Sequence, residues 1–294
     1  PMQTAALTPT FSATLRDLAE LAKPRITLMV AITAAGGMRL APGVVEPWRA
    51  AVMLLTTCMV VAGANALNCY LERDSDRLMQ RTARRPLPDG RMQPRMALVF
   101  GLFLGAVSVP VLTFAINPLT GFLGAFALIS YVAIYTPMKQ YTPPALLVGA
   151  VPGALPPLMG WTAVTGGLEA PGLVLFSILF LWQVPHFIAI SIFRQEEYER
   201  AGLKVLPSVR GLQASKMQAL LWTGVLFITS LLLVPLRVAG MGYAITALVM
   251  GAMFLGVAFL GLRESAGIKW AKQLFVTSLV YLTVLFTALM LDAA

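Results

Sequence analysis

Charged residues along this 294-residue chain fall in clusters, and long uncharged runs lie between them. Between Arg49 and Glu72 there are 22 uncharged residues, and between Arg95 and Lys139 there are 43. Further runs separate Lys139 from Glu169, Glu169 from Arg194, Lys216 from Arg237, Arg237 from Arg263, and Lys272 from Asp292. A helix needs about 20 apolar residues to cross roughly 30 Å of hydrocarbon. The 43-residue run therefore holds two helices, with Asn117-Pro118 as the turn between them. The stretch 26–38 is short, but Arg39 at its end can snorkel to the interface. The pattern predicts nine spans, over about residues 26–42, 50–71, 96–116, 119–136, 143–165, 172–193, 217–236, 238–262 and 270–291. All must be helices, because open strands leave backbone groups unpaired in lipid.

Composition agrees with that pattern. The chain is 58% hydrophobic and 12% charged, with a mean hydropathy of +0.78, whereas a soluble domain carries about 25% charged residues. The expected organisation is a short cytoplasmic N-terminal segment, residues 1–22, followed by one transmembrane domain over 23–294. Those first residues lack the apolar core and cleavage site of a secretory signal. A formal charge of +9 can indicate nucleic acid, but here the bases sit in short loops between apolar runs. That placement fits an anionic lipid leaflet and predicts no nucleic-acid partner. Cys58 and Cys69, with no second CxxC pair, point to neither a thiolate metal site nor a disulfide framework. One histidine excludes a multi-histidine metal site.

Lysine and arginine positions set the expected orientation. Arg16, Lys23 and Arg25 precede the first span, and Arg73, Arg77, Arg81, Arg84, Arg85, Arg91 and Arg95 follow the second. Lys139 follows the fourth, Arg194, Arg200, Lys204, Arg210 and Lys216 follow the sixth, and Arg263, Lys269 and Lys272 precede the ninth. Nineteen of the 22 basic residues thus share one side, leaving Arg39, Arg49 and Arg237 on the other. The positive-inside rule makes the crowded side cytoplasmic, with the N-terminus inside and the C-terminus outside.

Acidic residues are sparse, and seven of the thirteen lie in the two large loops after spans two and six. The first cluster reads Asn65-Ala-Leu-Asn68-Cys-Tyr-Leu-Glu72-Arg-Asp74-Ser-Asp76. Asn68, Glu72 and Asp76 stand at i, i+4 and i+8, so on a continuing helix they share one face. Their oxygens suit a hard divalent cation, and Mg²⁺ usually takes one or two carboxylates plus substrate phosphates. Arg77, Arg81, Arg84 and Arg85 follow, a guanidinium density suited to phosphate. For the arginines alone, a solvated helix end is the plainer explanation. For the asparagine–acid stripe at a membrane boundary, metal-assisted diphosphate chemistry is the better one. The second cluster, Arg194-Gln-Glu196-Glu197-Tyr198-Glu199-Arg200-Ala-Gly202-Leu-Lys204, occupies the equivalent place four helices later, as the other half of one cavity.

Here the sequence resembles a known family. Asn68-Cys-Tyr-Leu-Glu72-Arg-Asp74-Ser-Asp76, then Arg81-Thr-Ala-Arg-Arg85-Pro-Leu-Pro, is similar to the first signature of the UbiA-type intramembrane aromatic prenyltransferases. Lys23-Pro24-Arg25-Ile26, Tyr135-Thr-Pro-Met-Lys139, the stretch from Val148 to Trp161, and Trp182-Gln-Val-Pro185-His186-Phe187 resemble the branch that farnesylates haem. Glu197-Tyr198 with Ala201-Gly202 and Leu206-Pro207 completes a likeness running from residue 23 to about 211. The resemblance implies an all-α, polytopic fold of nine helices around a cavity open to the cytoplasm, in the bacterial inner membrane. It also implies Mg²⁺, farnesyl diphosphate and haem B, and contact with haem A synthase or oxidase assembly. Asn68, Glu72 and Asp76 would bind metal and act in catalysis, with Glu196 and Glu197 as the second metal-binding half. Arg25, Arg77, Arg81, Arg85, Lys139, Arg200 and Lys204 would contact diphosphate.

The chain departs from the wider pattern in places. Glu72 stands where the superfamily mostly has Asp, Gln140 replaces a base, and the second acidic motif is not an intact DxxxD. His186 is an ionisable residue inside a predicted span and so a functional candidate by default. Its plain alternative is a hydrogen-bonded core histidine, but the resemblance implies a haem-facing role, as iron ligand or proton acceptor. Arg25 either snorkels or pairs with a phosphate or a haem propionate. The Pro/Gly-rich start of span five reads as a kinked helix without ligand contact. A quinone-precursor acceptor such as 4-hydroxybenzoate is the alternative within the class. A transporter is the alternative outside it, although no acid sits at a span's midplane.

Overall fold

The computed structural model describes residues 11–293, so residues 1–10 of the expected N-terminal segment and Ala294 lie outside the described residues. The described chain is helical, with no strand and one isolated bridge between Ala239 and Ala293. The helices are α1 (Phe11–Leu21), α2 (Pro24–Leu40), α3 (Pro47–Asp76), α4 (Pro94–Val111), α5 (Pro118–Ile129), α6 (Thr136–Met138), α7 (Ala145–Thr165), α8 (Ala170–Phe193), α9 (Gln195–Arg200), α10 (Leu206–Leu231), α11 (Met241–Leu260) and α12 (Ile268–Leu291). Leu112–Ile116 prolongs α4 as a π-helical turn, and Ser130–Tyr135 does the same between α5 and α6.

Seven of these rods are long and apolar enough to cross a membrane: α3, α4 with its extension, Pro118–Met138, α7, α8, α11 and α12. Helices also lie at the two remaining predicted places. One, α2, has only 17 residues. The other, α10, begins 11 residues before the expected span and turns at Gly211, which has a φ of 79°. Lys216 is consequently not a loop residue. It is buried within α10 and donates from Nζ to the Arg263 carbonyl at 3.1 Å, at the end of α11.

The chain starts and stops its helices by local chemistry. Proline stands in the first turn of α2, α3, α4 and α5, where a missing N–H costs nothing. Asn117 caps α5 by accepting from Thr120 N at 2.8 Å, so the predicted Asn117-Pro118 turn is where it was expected. Helix α7 runs unbroken through Pro152, Pro156 and Pro157. A Cβ on Gly37 would lie 2.0 Å from Pro157 O, and one on Gly160 2.0 Å from Ala34 O, so α2 and α7 cross with backbones touching.

Two large apolar clusters fill the bundle. One joins α2, α3, α5 and α7 around Met53, Val60, Leu112, Leu123 and Met159, and the other joins α8, α10, α11 and α12 around Leu175, Phe254 and Tyr281. A smaller cluster of Leu21, Ala66, Cys69, Leu87, Met92 and Ala97 holds the 77–93 loop against α3 and α4. At that end Arg91 also pairs with Asp17 of α1, with Glu20 at 3.4 Å and with Asp89 at 2.8 Å. Helix α1, which the hydrophobic pattern did not predict, is thereby tied to the loop.

Candidate active site

The last turns of α3 carry polar side chains into the bundle. Asn65, Asn68, Glu72 and Asp76 are all buried, with Asp76 only 1% exposed. Burial on this scale requires partners, and each of the three predicted ligands has one. Asp76 Oδ2 accepts from Arg85 Nη1 at 2.8 Å, and its backbone carbonyl accepts from Thr82 Oγ1 at 2.8 Å, which folds the loop back over the helix end. Glu72 is ion-paired with Lys139. Asn68 donates from Nδ2 to Thr136 Oγ1 at 3.1 Å, and its Oδ1 accepts from Lys23 Nζ at 3.4 Å.

The π-helical segment Ser130–Tyr135 sets the second wall. Its wider turn delivers Thr136 and Lys139 to α3, and Thr136 Oγ1 donates back to Tyr131 O at 2.8 Å, five residues earlier. A Cβ on Gly149 would come within 2.5 Å of the Tyr135 ring, so a glycine of α7 leaves that ring its place. Lys139 Nζ sits 5.7 Å from the centre of the same ring.

The two lysines differ electrostatically. Burial pulls the Lys139 ammonium down, but the Tyr135 oxygen and the Glu72 carboxylate outweigh it and hold the pKa above the ordinary lysine value. Lys23, just ahead of α2, has no carboxylate in contact among the described residues, and burial leaves its pKa below the ordinary value. Its backbone is left-handed, with φ 49°. A non-glycine residue in that region is held there by its surroundings.

The second acidic cluster reaches the first through one residue. Glu197 is buried and accepts from Arg81 N at 3.3 Å and from Arg194 Nη1 at 3.1 Å, joining α9 to the 77–93 loop. Glu196 is exposed on the same short helix. The structure thus gathers Asn68, Glu72, Asp76, Arg85 and Lys139, and brings Glu197 against Arg81. Arg25, Arg77, Arg200 and Lys204 are exposed. Arg77 donates to Pro88 O at 3.2 Å and Arg200 to Glu196 O at 3.3 Å. Sequence reasoning missed Lys23 and Thr136 as members of the site. Both lie inside quoted motifs, Lys23-Pro24-Arg25 and Tyr135-Thr136, and that was their only signal.

His186 lies apart from these contacts, between α8 and α12. Its ring is covered by Trp182 and Phe275, each with centroids 4.7 Å away. Nδ1 is 2.7 Å from Ser278 Oγ, and that hydroxyl gives its own proton to Phe275 O at 2.6 Å. Ser278 must therefore accept from Nδ1–H.

The UbiA prenyltransferase family profile matches residues 29–280. A protoheme IX farnesyltransferase of Anaeromyxobacter dehalogenans is 52% identical over 278 residues, covering 95% of this chain and 94% of the relative. One from Myxococcus xanthus is 53% identical over 276 residues, covering 94% of each. The chain belongs to the UbiA prenyltransferase family, among the protoheme IX farnesyltransferases. Solved structures share the fold of this UbiA prenyltransferase at low identity. A digeranylgeranylglyceryl phosphate synthase superposes with a TM-score of 0.82 at 19% identity, over 95% of this chain and 98% of that one. A UbiA homolog from Archaeoglobus fulgidus, bound to GPP and Mg²⁺, superposes with a TM-score of 0.62 at 16% identity, over 93% of this chain and 99% of its own.

Proposed function

We propose that this protein transfers the farnesyl group of farnesyl diphosphate to a vinyl group of haem B, giving haem O and releasing diphosphate. The observation that carries the reading is the buried stripe of Asn68, Glu72 and Asp76, surrounded by Lys23, Arg85 and Lys139. Relatives of more than half identity over nearly the whole chain are protoheme IX farnesyltransferases.

In this reaction the bond between farnesyl C1 and oxygen breaks, both electrons leave with diphosphate, and an allylic cation develops at C1. Arg85, Lys139 and Lys23, half-buried and held by their contacts before the reaction, are the residues that take up the growing negative charge. The vinyl π electrons of haem form the new bond to C1. Water then adds its oxygen to the cation left on the haem side and gives up a proton, producing a hydroxyethylfarnesyl group. Glu197, which accepts from Arg81 N, would hold α9 against the 77–93 loop.

The donor set fits Mg²⁺. Asn68, Glu72 and Asp76 can offer oxygens alone, and Glu72 Oε1 is buried without a hydrogen bond, its partner being the Lys139 ammonium. Among the described residues no three His, Cys, Asp or Glu side chains stand close enough to hold a metal by themselves. That suits an ion whose coordination substrate phosphates complete. Asn68, Glu72 and Asp76 would hold it. When bound, Mg²⁺ supplies Lewis-acid stabilisation of the leaving diphosphate.

We also read the bundle as nine spans in the bacterial inner membrane, forming one domain from residue 23 onward, with the N-terminus and the 77–93 and 194–204 loops cytoplasmic. The contacts Arg91–Asp17 and Arg81–Glu197 support this by bringing those three segments to one end.

Purified protein supplied with haem B and either farnesyl or geranylgeranyl diphosphate tests the reaction by product mass. The expected product is haem carrying a farnesyl group and the elements of water, and His186→Ala is expected to cut its yield while diphosphate binding holds. Prenylated 4-hydroxybenzoate without any haem product would overturn the acceptor.

A further inference from the structure

The amide of Asn68 has its two ends fixed by neighbours of opposite hydrogen-bonding character. Thr136 Oγ1 has one proton, and it goes to Tyr131 O at 2.8 Å, a carbonyl that can only accept. Toward Asn68 the hydroxyl can therefore only accept, which draws the amide nitrogen to it at 3.1 Å. On the other side Lys23 Nζ can only donate, and it meets Oδ1 at 3.4 Å. Turning the amide over would set NH₂ against an ammonium and oxygen against a hydroxyl oxygen with no proton to give. One orientation survives. Asn68 is 2% exposed and Thr136 1%, so neither end can be satisfied by solvent instead.

We propose that Thr136 is a positioning residue for the farnesyl-transfer site. It orients Asn68 so that α3 presents three oxygens in register, Oδ1 of Asn68 one turn before the carboxylate of Glu72 and two turns before that of Asp76. An amide in the other orientation would put two N–H donors where a cation or its waters need a lone pair. The π-helical segment explains why a threonine far away in sequence can do this. The Thr136 N–H donates to the carbonyl of Tyr131, five residues back, as a π turn requires, and the Thr136 hydroxyl reaches the same carbonyl. A regular α-helix over 130–136 would send that hydroxyl to a different carbonyl and turn Thr136 away from α3.

The proposal rests on the metal–diphosphate reading of the α3 stripe, and the test separates the two. Farnesyl diphosphate is titrated into purified protein with Mg²⁺ present, and thermal unfolding is measured without either. Thr136→Val keeps the shape and the branched Cβ but removes the acceptor. It is expected to weaken diphosphate binding on the order of ten-fold, as leaving a buried donor unpaired does. Thr136→Ser retains both hydrogen bonds and is expected to bind like wild type. In an Asn68→Ala background, Thr136→Val is expected to add nothing, because the group it orients is gone. Wild-type binding by Thr136→Val, failure of serine to rescue, or a full additive loss in the double variant overturns the proposal. If Asn68→Ala itself binds farnesyl diphosphate normally, the metal–diphosphate reading of the stripe fails instead. Should Thr136→Val fold poorly, Thr136→Cys replaces it: its weak acceptor must still weaken binding while unfolding stays near wild type, and normal binding by Thr136→Cys overturns the proposal.

Discussion

A cation that is to hold a diphosphate must be close to the metal-binding oxygens and must not be spent on a distant partner. Lys23 and Arg25 are two residues apart in one motif, yet only one of them meets that requirement. Lys23 approaches Asn68 at 3.4 Å and has no carboxylate in contact among the described residues, whereas Arg25 is exposed. Lys23→Gln is therefore expected to weaken farnesyl diphosphate binding on the order of ten-fold, the worth of one charge-assisted contact in a shielded site. Arg25→Gln should change it by no more than about two-fold, in line with an exposed charge. Equal losses from the two would return Arg25 to the site. The resemblance named Arg25 for the diphosphate and passed over Lys23. What it could not show is the left-handed turn at Lys23, which depends on surroundings rather than on the residue itself. Asn68, Glu72 and Asp76 were legible because their spacing is a property of the helix alone. Thr136 was not, because its role requires a π-helical register and a partner 68 residues away.

Helix ends follow the same division between local and distant causes. Proline in the first turn and the Asn117 cap are written in neighbouring residues, and the break expected at Asn117-Pro118 occurs there. The start of α10 was missed because Lys216 reads as a loop charge. In the fold its ammonium donates to the carbonyl of Arg263, in the turn after α11, and so it can remain inside. The start of α11 has its cap at the far end of the chain: Tyr243 N donates to Asp292 Oδ2 at 2.7 Å, and Gly240 N donates to Asp292 O at 3.1 Å. A Cβ on Gly240 would meet that carboxylate at 3.0 Å, so the glycine makes room for the cap. Asp292→Ala is expected to lower thermal stability by about 1 kcal/mol, the usual worth of a capping side chain. Diphosphate binding should be untouched, because the cap lies at the end of the bundle away from the α3 stripe. A loss of binding with unchanged unfolding would contradict a purely capping role.

At the scale of the whole molecule, charge and contact independently group the same segments at one end. The first is chemical: nineteen of the 22 lysines and arginines fall on one side of the predicted spans. The second is geometric and owes nothing to charge counting. Segments assigned to that side touch one another, Asp17 with Arg91, Glu72 with Lys139, and Glu197 with Arg81. Segments assigned to the other side also meet among themselves, Arg49 with Ile116 O at 2.8 Å, Asn117 with Thr162 O at 2.8 Å, and Gly240 with Asp292. Helices α2 and α10, short or broken by a polar stretch, are where a span count could go wrong. Losing either one from the membrane would move every later loop to the opposite face. Reporter fusions after residues 90 and 205 should both signal cytoplasm, and one at Ala294 the outside. A fusion at 205 that disagreed with one at 90 would show that the helices α4 to α8 do not cross in even number. A C-terminus found in the cytoplasm, with 90 and 205 still inside, would show that α10, α11 and α12 do not all cross. In that case the bridge between Ala239 and Ala293, which ties the chain's end to the α10–α11 turn, could not lie on the side assigned to it.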